Sequence, residues 1–381
     1  MKKIDKEYMI SAWWDEVLWR YLGKGIMMKS NRKYYIDNLR WVCILLLIPF
    51  HAAMAWNCWG EDNYIWFSAN KGLSAFITLI SPWYMPLLFV LAGMSARYSL
   101  QKRTVKDFVR ERVKKLLLPF LIGVVTIVAG MTYYADRFHN GYTEGFFAHY
   151  RIFFTKFTDL TGYDGGWTPG HLWFVLYLFV ISMVALGVIW IQKRFFQDFS
   201  CKNIKMYGIY LLGFFPAIGS LFLDIGGKSI GMYMVLYLIG YYLLAEDVIV
   251  EKIVKYRVWN LIIMMAADIL NVYMFLWDEN ANVAFNTIMM YITLWFGILT
   301  IIGFGQIGFN FTNGVTRYLT SHSFQIYIIH FVWVIAFQFY FGKVTVNIWI
   351  LYVVPIVLSY VMTIVSCEIL EKGKLILGKL K

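Results

Sequence analysis

Ten apolar stretches, each long enough to cross a bilayer, recur along this chain of 381 residues. They lie at about 39–59, 73–97, 116–135, 170–191, 206–223, 229–245, 258–276, 283–304, 322–341 and 347–369. About 20 apolar residues wound as a helix cross the ~30 Å hydrocarbon layer. A helix also satisfies its own backbone there. The expected fold class is an all-α polytopic membrane protein with about ten transmembrane helices. Only 15% of the residues are charged and 60% are hydrophobic, against roughly 25% charged in a soluble domain. Most of this chain therefore has lipid or protein, not water, as its solvent.

The net charge of +12 invites a nucleic-acid reading, but its distribution argues against one. With the N-terminus in the cytoplasm and every run crossing, 29 of the 35 Lys and Arg fall inside and six outside. Positive charge retained on the cytoplasmic side is what orients such helices. Both ends are thus expected in the cytoplasm, with lipids as partners and no nucleic acid. Residues 1–33 contain no long apolar run, so no cleavable signal peptide is read. Trp13, Val17 and Tyr21 share one helical face, which suggests an amphipathic helix on the membrane surface. No repeat or linker divides the rest. The expected organisation is a cytoplasmic extension, 1–32, and one ten-helix domain, 33–381. The four cysteines form no CxxC pair, so no metal site is expected.

Ionisable side chains inside spans are costly and mark function by default. In the first span His51 follows Arg40 by eleven residues. That is ~3 turns and ~16 Å of rise, so both lie on one helix face, Arg40 at the inner interface and His51 near the bilayer centre. Asp37 lies on nearly the same face. Pro49 lacks an N–H, which frees the carbonyl of Leu45. A midplane imidazole costs several kcal/mol unless partnered, which favours a site over simple packing. His330 in the ninth span sits at a similar depth, with Ser323 and Tyr327 on its face, so a shared cavity is expected. Asp268, near mid-depth in the seventh span, either orients a histidine or stays protonated and structural. His171 and Trp173 fall at the outer edge of the fourth span, as acceptor-side candidates. Glu368 and Glu371 read as partners for nearby Lys or Arg. The basic segment after the second span includes Arg97, Arg110 and Arg112. It suits anionic headgroups and, together with Arg40, a polyphosphate ligand. There is no P-loop and no dinucleotide fingerprint.

The segment YYIDNLRWVCILLLIPFHAAMAW, with Arg40, ten residues and then His51, resembles the first helix of the acyltransferase 3 family of bacterial membrane acyltransferases. PLLFVLAGMSARYSL, RERVKKLLLPFLIG, GHLWFVLYL and SFQIYIIHFVWV are similar to its later segments, in order, over about 33–370. Many members have Ser-Gly where this chain has Ala92–Gly93. The resemblance implies a multi-pass protein of the bacterial plasma (inner) membrane. It also implies transfer of an acyl group, acetyl or succinyl, from cytoplasmic acyl-CoA to a hydroxyl of an extracytoplasmic cell-envelope glycan or related acceptor. Acyl-CoA, most simply acetyl-CoA, would be a substrate and not a tightly bound cofactor. On this reading His51 is the general base, with Asp268 or Tyr327 orienting it and His330 or Ser323 as oxyanion donors. Arg40, Arg97, Arg110 and Arg112 hold the donor's phosphates, and His171, Trp173 and Tyr327 meet the acceptor. The competing class is a transporter of a small solute or lipid-linked sugar, which many spans with midplane polar residues also suit.

Overall fold

The computed structural model describes residues 32–157, 161–196 and 201–379. The expected surface helix of the extension lies outside the described residues. The described residues are mostly helical, with one short strand pair. Among the described residues eight are long and apolar enough to cross a membrane: Tyr34–Met54, Lys71–Leu100, Val105–His139, Gly170–Phe195, Arg257–Leu276, Val283–Gly308, Gly314–Phe341 and Ile348–Gly373. Exposed apolar side chains recur along their outer faces, such as Val353, Val357 and Val361, at the four-residue spacing of a lipid-facing stripe.

The two remaining apolar runs are helical but short. Met206–Gly219 is one, and Ile230–Leu244 is the other, which bends by 98° into Asp247–Lys255. Fifteen residues rise only ~22 Å, less than the hydrocarbon layer. They are joined by a small hairpin, Asp224–Ile225 against Lys228–Ser229. Gly226 and Gly227 both adopt positive φ, 61° and 74°, as a tight two-residue hairpin turn demands.

The first helix is the organising element. It packs on Gly314–Phe341, Ile348–Lys379, Lys71–Ile80 and Tyr84–Leu100. Near its start the Asn38 side-chain amide donates to the carbonyls of Phe309 (2.7 Å) and Phe311 (2.8 Å), which fixes its inner end to the turn after Val283–Gly308. At Pro49 the freed Leu45 carbonyl accepts from the Tyr360 hydroxyl at 2.8 Å. The helix therefore runs through the proline with its orphaned acceptor satisfied by a neighbour.

The second span is broken. Lys71–Ile80 ends at the turn Ser81–Trp83, and Tyr84–Leu100 starts there. Pro82 and Pro86 explain the break, since neither supplies an N–H. Tyr84–Leu100 crosses Ile230–Leu244 at very short range. A Cβ on Gly93 would lie 2.0 Å from the Tyr237 carbonyl oxygen, and one on Gly240 2.2 Å from that of Val90. These two glycines let the backbones meet, the small-residue contact typical of membrane helices.

Candidate active site

Arg40 and His51 both face the Tyr84–Leu100 helix, at opposite ends. The Arg40 guanidinium donates to Ser95 Oγ at 2.9 Å and pairs with Asp37 Oδ1 at 3.1 Å. His51 shares a small cavity with Tyr84, eleven residues before Ser95. Two antiparallel helices thus carry matching eleven-residue offsets, ~16 Å each. The one-face reading of Arg40 and His51 holds.

The cavity, of about 30 Å³, is lined by Leu47, His51, Tyr84, Met85, His171, Trp173 and Tyr327. It has room for a water molecule or two. The His51 ring stacks on Phe331, centroids 3.8 Å apart and planes at 16°. The His330 ring is 5.4 Å from His51 and 5.4 Å from His171, and His171 is 6.5 Å from His51. Three imidazoles from three separate spans therefore cluster, but His330 is packed behind the others and does not itself line the cavity it was expected to share with His51.

His171 stands at the very start of its span, Gly170–Phe195, as the sequence suggests, but it is buried there in the turn Gly170–Leu172 against the Gly314–Phe341 helix. The segment before it folds inward. Thr168 is buried, and Gly162, Gly165 and Gly170 take positive φ. Gly170, at 52°, abuts Val128 and the Tyr64 hydroxyl, where a Cβ would be 3.0–3.1 Å from them. This re-entry carries His171 and Trp173 to the cavity wall.

The hydrogen bonds fix tautomers. Carbonyl oxygens only accept, so a ring nitrogen bonded to one carries the proton. His330 Nδ1–H donates to the carbonyls of Ile326 (3.1 Å) and Tyr327 (2.8 Å). His171 Nε2–H donates to the Ile328 carbonyl at 3.0 Å. His330 Nε2 and His171 Nδ1 are then bare lone pairs, buried without a partner. The Tyr327 hydroxyl is committed to the His171 carbonyl, and Ser323 Oγ donates to the Thr320 carbonyl of its own helix at 3.1 Å. Neither His330 nor Ser323 is thus placed as an oxyanion donor. The hydroxyl of Tyr84 makes no hydrogen bond among the described residues. Neither ring nitrogen of His51, which is half-buried beside the cavity, makes one either.

The sequence reading missed Tyr84 and Phe331. Its available signal for Tyr84 was the SPWYMP string, because a proline-interrupted span marks a site. Asp268 is not brought to the histidines. Its helix packs on Val283–Gly308 and Lys71–Ile80, and both carboxylate oxygens are buried without a hydrogen bond.

The four arginines expected to hold phosphates separate. Arg112 lies within electrostatic reach of Arg40 and over the Phe108 ring at 4.7 Å. Arg97 is paired with Glu246 at 3.5 Å and lies over Tyr241 at 5.3 Å. Arg110 is exposed, away from them. Glu368 and Glu371 take partners other than Lys or Arg: the Tyr318 hydroxyl at 2.6 Å and His322 Nε2 at 3.3 Å. The Tyr318 and His322 rings stack between them, 4.1 Å apart.

A family model described as an acyltransferase domain matches residues 33–371. Glucans biosynthesis protein C of Salmonella typhi is 23% identical over 174 residues, 43% of this chain and 41% of that protein. The protein of the same name from Salmonella schwarzengrund gives the same figures, and that from Salmonella dublin is 23% identical over 172 residues. The match covers about two fifths of the length of these relatives. No solved structure matches the chain.

Proposed function

Because the chain belongs to the acyltransferase 3 family, which makes it a multi-pass membrane acyltransferase, we propose that it moves an acetyl or succinyl group from cytoplasmic acyl-CoA to a hydroxyl of an extracytoplasmic cell-envelope glycan. The proposal includes ten crossings, with the short pair 206–219 and 230–244 as the fifth and sixth, both ends in the cytoplasm, and residence in the bacterial inner membrane. The observation that carries it is the uncommitted His51 imidazole at a small, mainly apolar cavity, ~16 Å along one helix face from Arg40. That separation is comparable to the reach of an extended pantetheine arm.

Arg40 and Arg112 take the donor's phosphates, with Ser95 and Asp37 holding the Arg40 guanidinium flat toward them. Phe331 keeps the His51 ring in one plane. The acceptor oxygen attacks the thioester carbonyl as His51 takes its proton. The C–S bond then breaks, and the proton returns to the CoA thiolate. General-base assistance of this kind contributes ~10²–10⁴-fold. The free Tyr84 hydroxyl is the group able to donate to the carbonyl oxygen as charge builds there. His330 and His171, whose bare nitrogens can only accept, orient an acceptor hydroxyl or receive its proton in turn.

The test uses purified protein and acetyl-CoA. We expect acetyl-CoA to raise its thermal stability, to be consumed slowly, and to lose both effects in Arg40→Ala. Absence of any acetyl-CoA effect, with uptake of an unmodified solute into proteoliposomes, would instead establish a transporter.

A further inference from the structure

Lys228 stands beside the histidine cavity on its outer side. Its ammonium lies 5.4 Å from the ring centroid of Trp173, and Trp173 lines the cavity with His51 and Tyr327. The placement is built. The Tyr177 hydroxyl lies 3.2 Å from the Lys228 carbonyl oxygen and 3.4 Å from that of Ile225, which pins the hairpin to the same helix that carries Trp173. The double-glycine turn then fixes the strand that presents Lys228.

This cation makes no ion pair among the described residues, although it is half-buried. The carboxylates within electrostatic reach are Glu61 and Asp224, and both are engaged elsewhere. Glu61 accepts from the Tyr163 hydroxyl at 2.7 Å and from Trp59 Nε1 at 3.1 Å. Asp224 accepts from the Gly227 N–H at 2.9 Å. Its ammonium also reaches the Gly226 carbonyl oxygen of its own turn at 3.5 Å. Among the other outer-side basic residues Lys156 is paired with Asp164 and Arg137 bonds the Tyr133 hydroxyl, whereas Lys71 and Lys343, like Lys228, lie over aromatic rings, but over Trp277 and Phe339, neither of which lines the cavity. A partly desolvated ammonium with no counter-charge is a standing cost, which an incoming anion would offset.

We infer that Lys228 binds an anionic group, carboxylate or phosphate, carried by the acceptor, and so selects charged hydroxyl acceptors over neutral ones. The inference rests on the acyl-transfer reading for the identity of the ligand as an acceptor. Trp173 supplies a flat apolar face for the sugar ring beside it, and the ammonium holds the charge, so that a hydroxyl of the same molecule points inward to His51.

The full-length protein in nanodiscs, with CoA saturating the donor side, allows a direct test by titration with glucuronate, glucose 6-phosphate and glucose. Glucuronate or glucose 6-phosphate should bind about tenfold more tightly than glucose, as a charged hydrogen bond provides. The tighter of the two anions identifies the group. Lys228→Gln should erase the preference, and Lys228→Arg should keep it. Equal binding of all three sugars, or a preference that survives Lys228→Gln, would overturn the assignment. Thermal protection by acetyl-CoA in Lys228→Gln reports folding and the donor side separately. Its absence in the wild type would sink the acyl-transfer reading while leaving the sugar preference readable.

Discussion

His171 and His330 spend their N–H on helix carbonyls, so in the proposed transfer the proton steps at the cavity fall to the side chains that remain free. Those are His51, with two uncommitted nitrogens, and Tyr84, with an uncommitted hydroxyl. Their division of labour makes separable predictions. Tyr84→Phe keeps the ring packing and removes only the donor. Its kcat for acetyl transfer should fall about 10²-fold, the usual effect of deleting one oxyanion donor, with little change in KM for acetyl-CoA. An unchanged kcat would remove Tyr84 from the reaction. Arg40 acts by geometry as well as charge, held by both Asp37 and Ser95. A lysine cannot offer the planar fork. Arg40→Lys should therefore raise the KM for acetyl-CoA about tenfold while leaving kcat near wild type; steady-state kinetics at varied acetyl-CoA decides it.

At the scale of elements, the short helix Phe146–Thr155 is docked through a titratable latch. Helix Phe146–Thr155 is held to the end of Val105–His139 by buried His149, whose Nε2 lies 3.3 Å from Asp136 Oδ2. Asn140 bonds the other carboxylate oxygen at 2.8 Å, and Gly165 closes over the pair. Burial pushes the His149 imidazole below its ordinary value, against a smaller raising effect of Asp136. With the helix released, His149 therefore binds a proton that it refuses when docked. Docking is at full strength above ~6.5, the ordinary histidine value, and weakens as pH falls below it. Amide exchange in 146–155 should accelerate between pH 7.5 and 5.5, and His149→Gln should flatten that dependence. Exchange with no pH dependence beyond the intrinsic chemical rate would reject the latch.

Across the whole molecule, what the sequence made legible was whatever one helix decides alone. The spans followed from hydropathy, the Arg40–His51 register from 3.6 residues per turn, and the orphaned Leu45 carbonyl from Pro49. The common depth of His51 and His330 followed from counting along two helices that run the same way. What stayed hidden depends on how separate elements rotate and re-enter. Asp268 sits at the right depth but on a helix packed elsewhere. His171 reaches the cavity because a glycine-rich segment turns inward, which a span boundary does not reveal. Two of the ten runs emerge as short helices, and one of them meets Tyr84–Leu100 closely at Gly93 and Gly240, an interhelical contact no linear pattern displays. The central claim is that an imidazole at this cavity does the chemistry. It is tested most directly by following labelled acetyl from acetyl-CoA into envelope glycan with purified wild type and His51→Ala. The account predicts transfer by the wild type and a loss of about 10² to 10⁴-fold in the variant, which should remain monodisperse and membrane-embedded. Wild-type transfer rates in His51→Ala would contradict it.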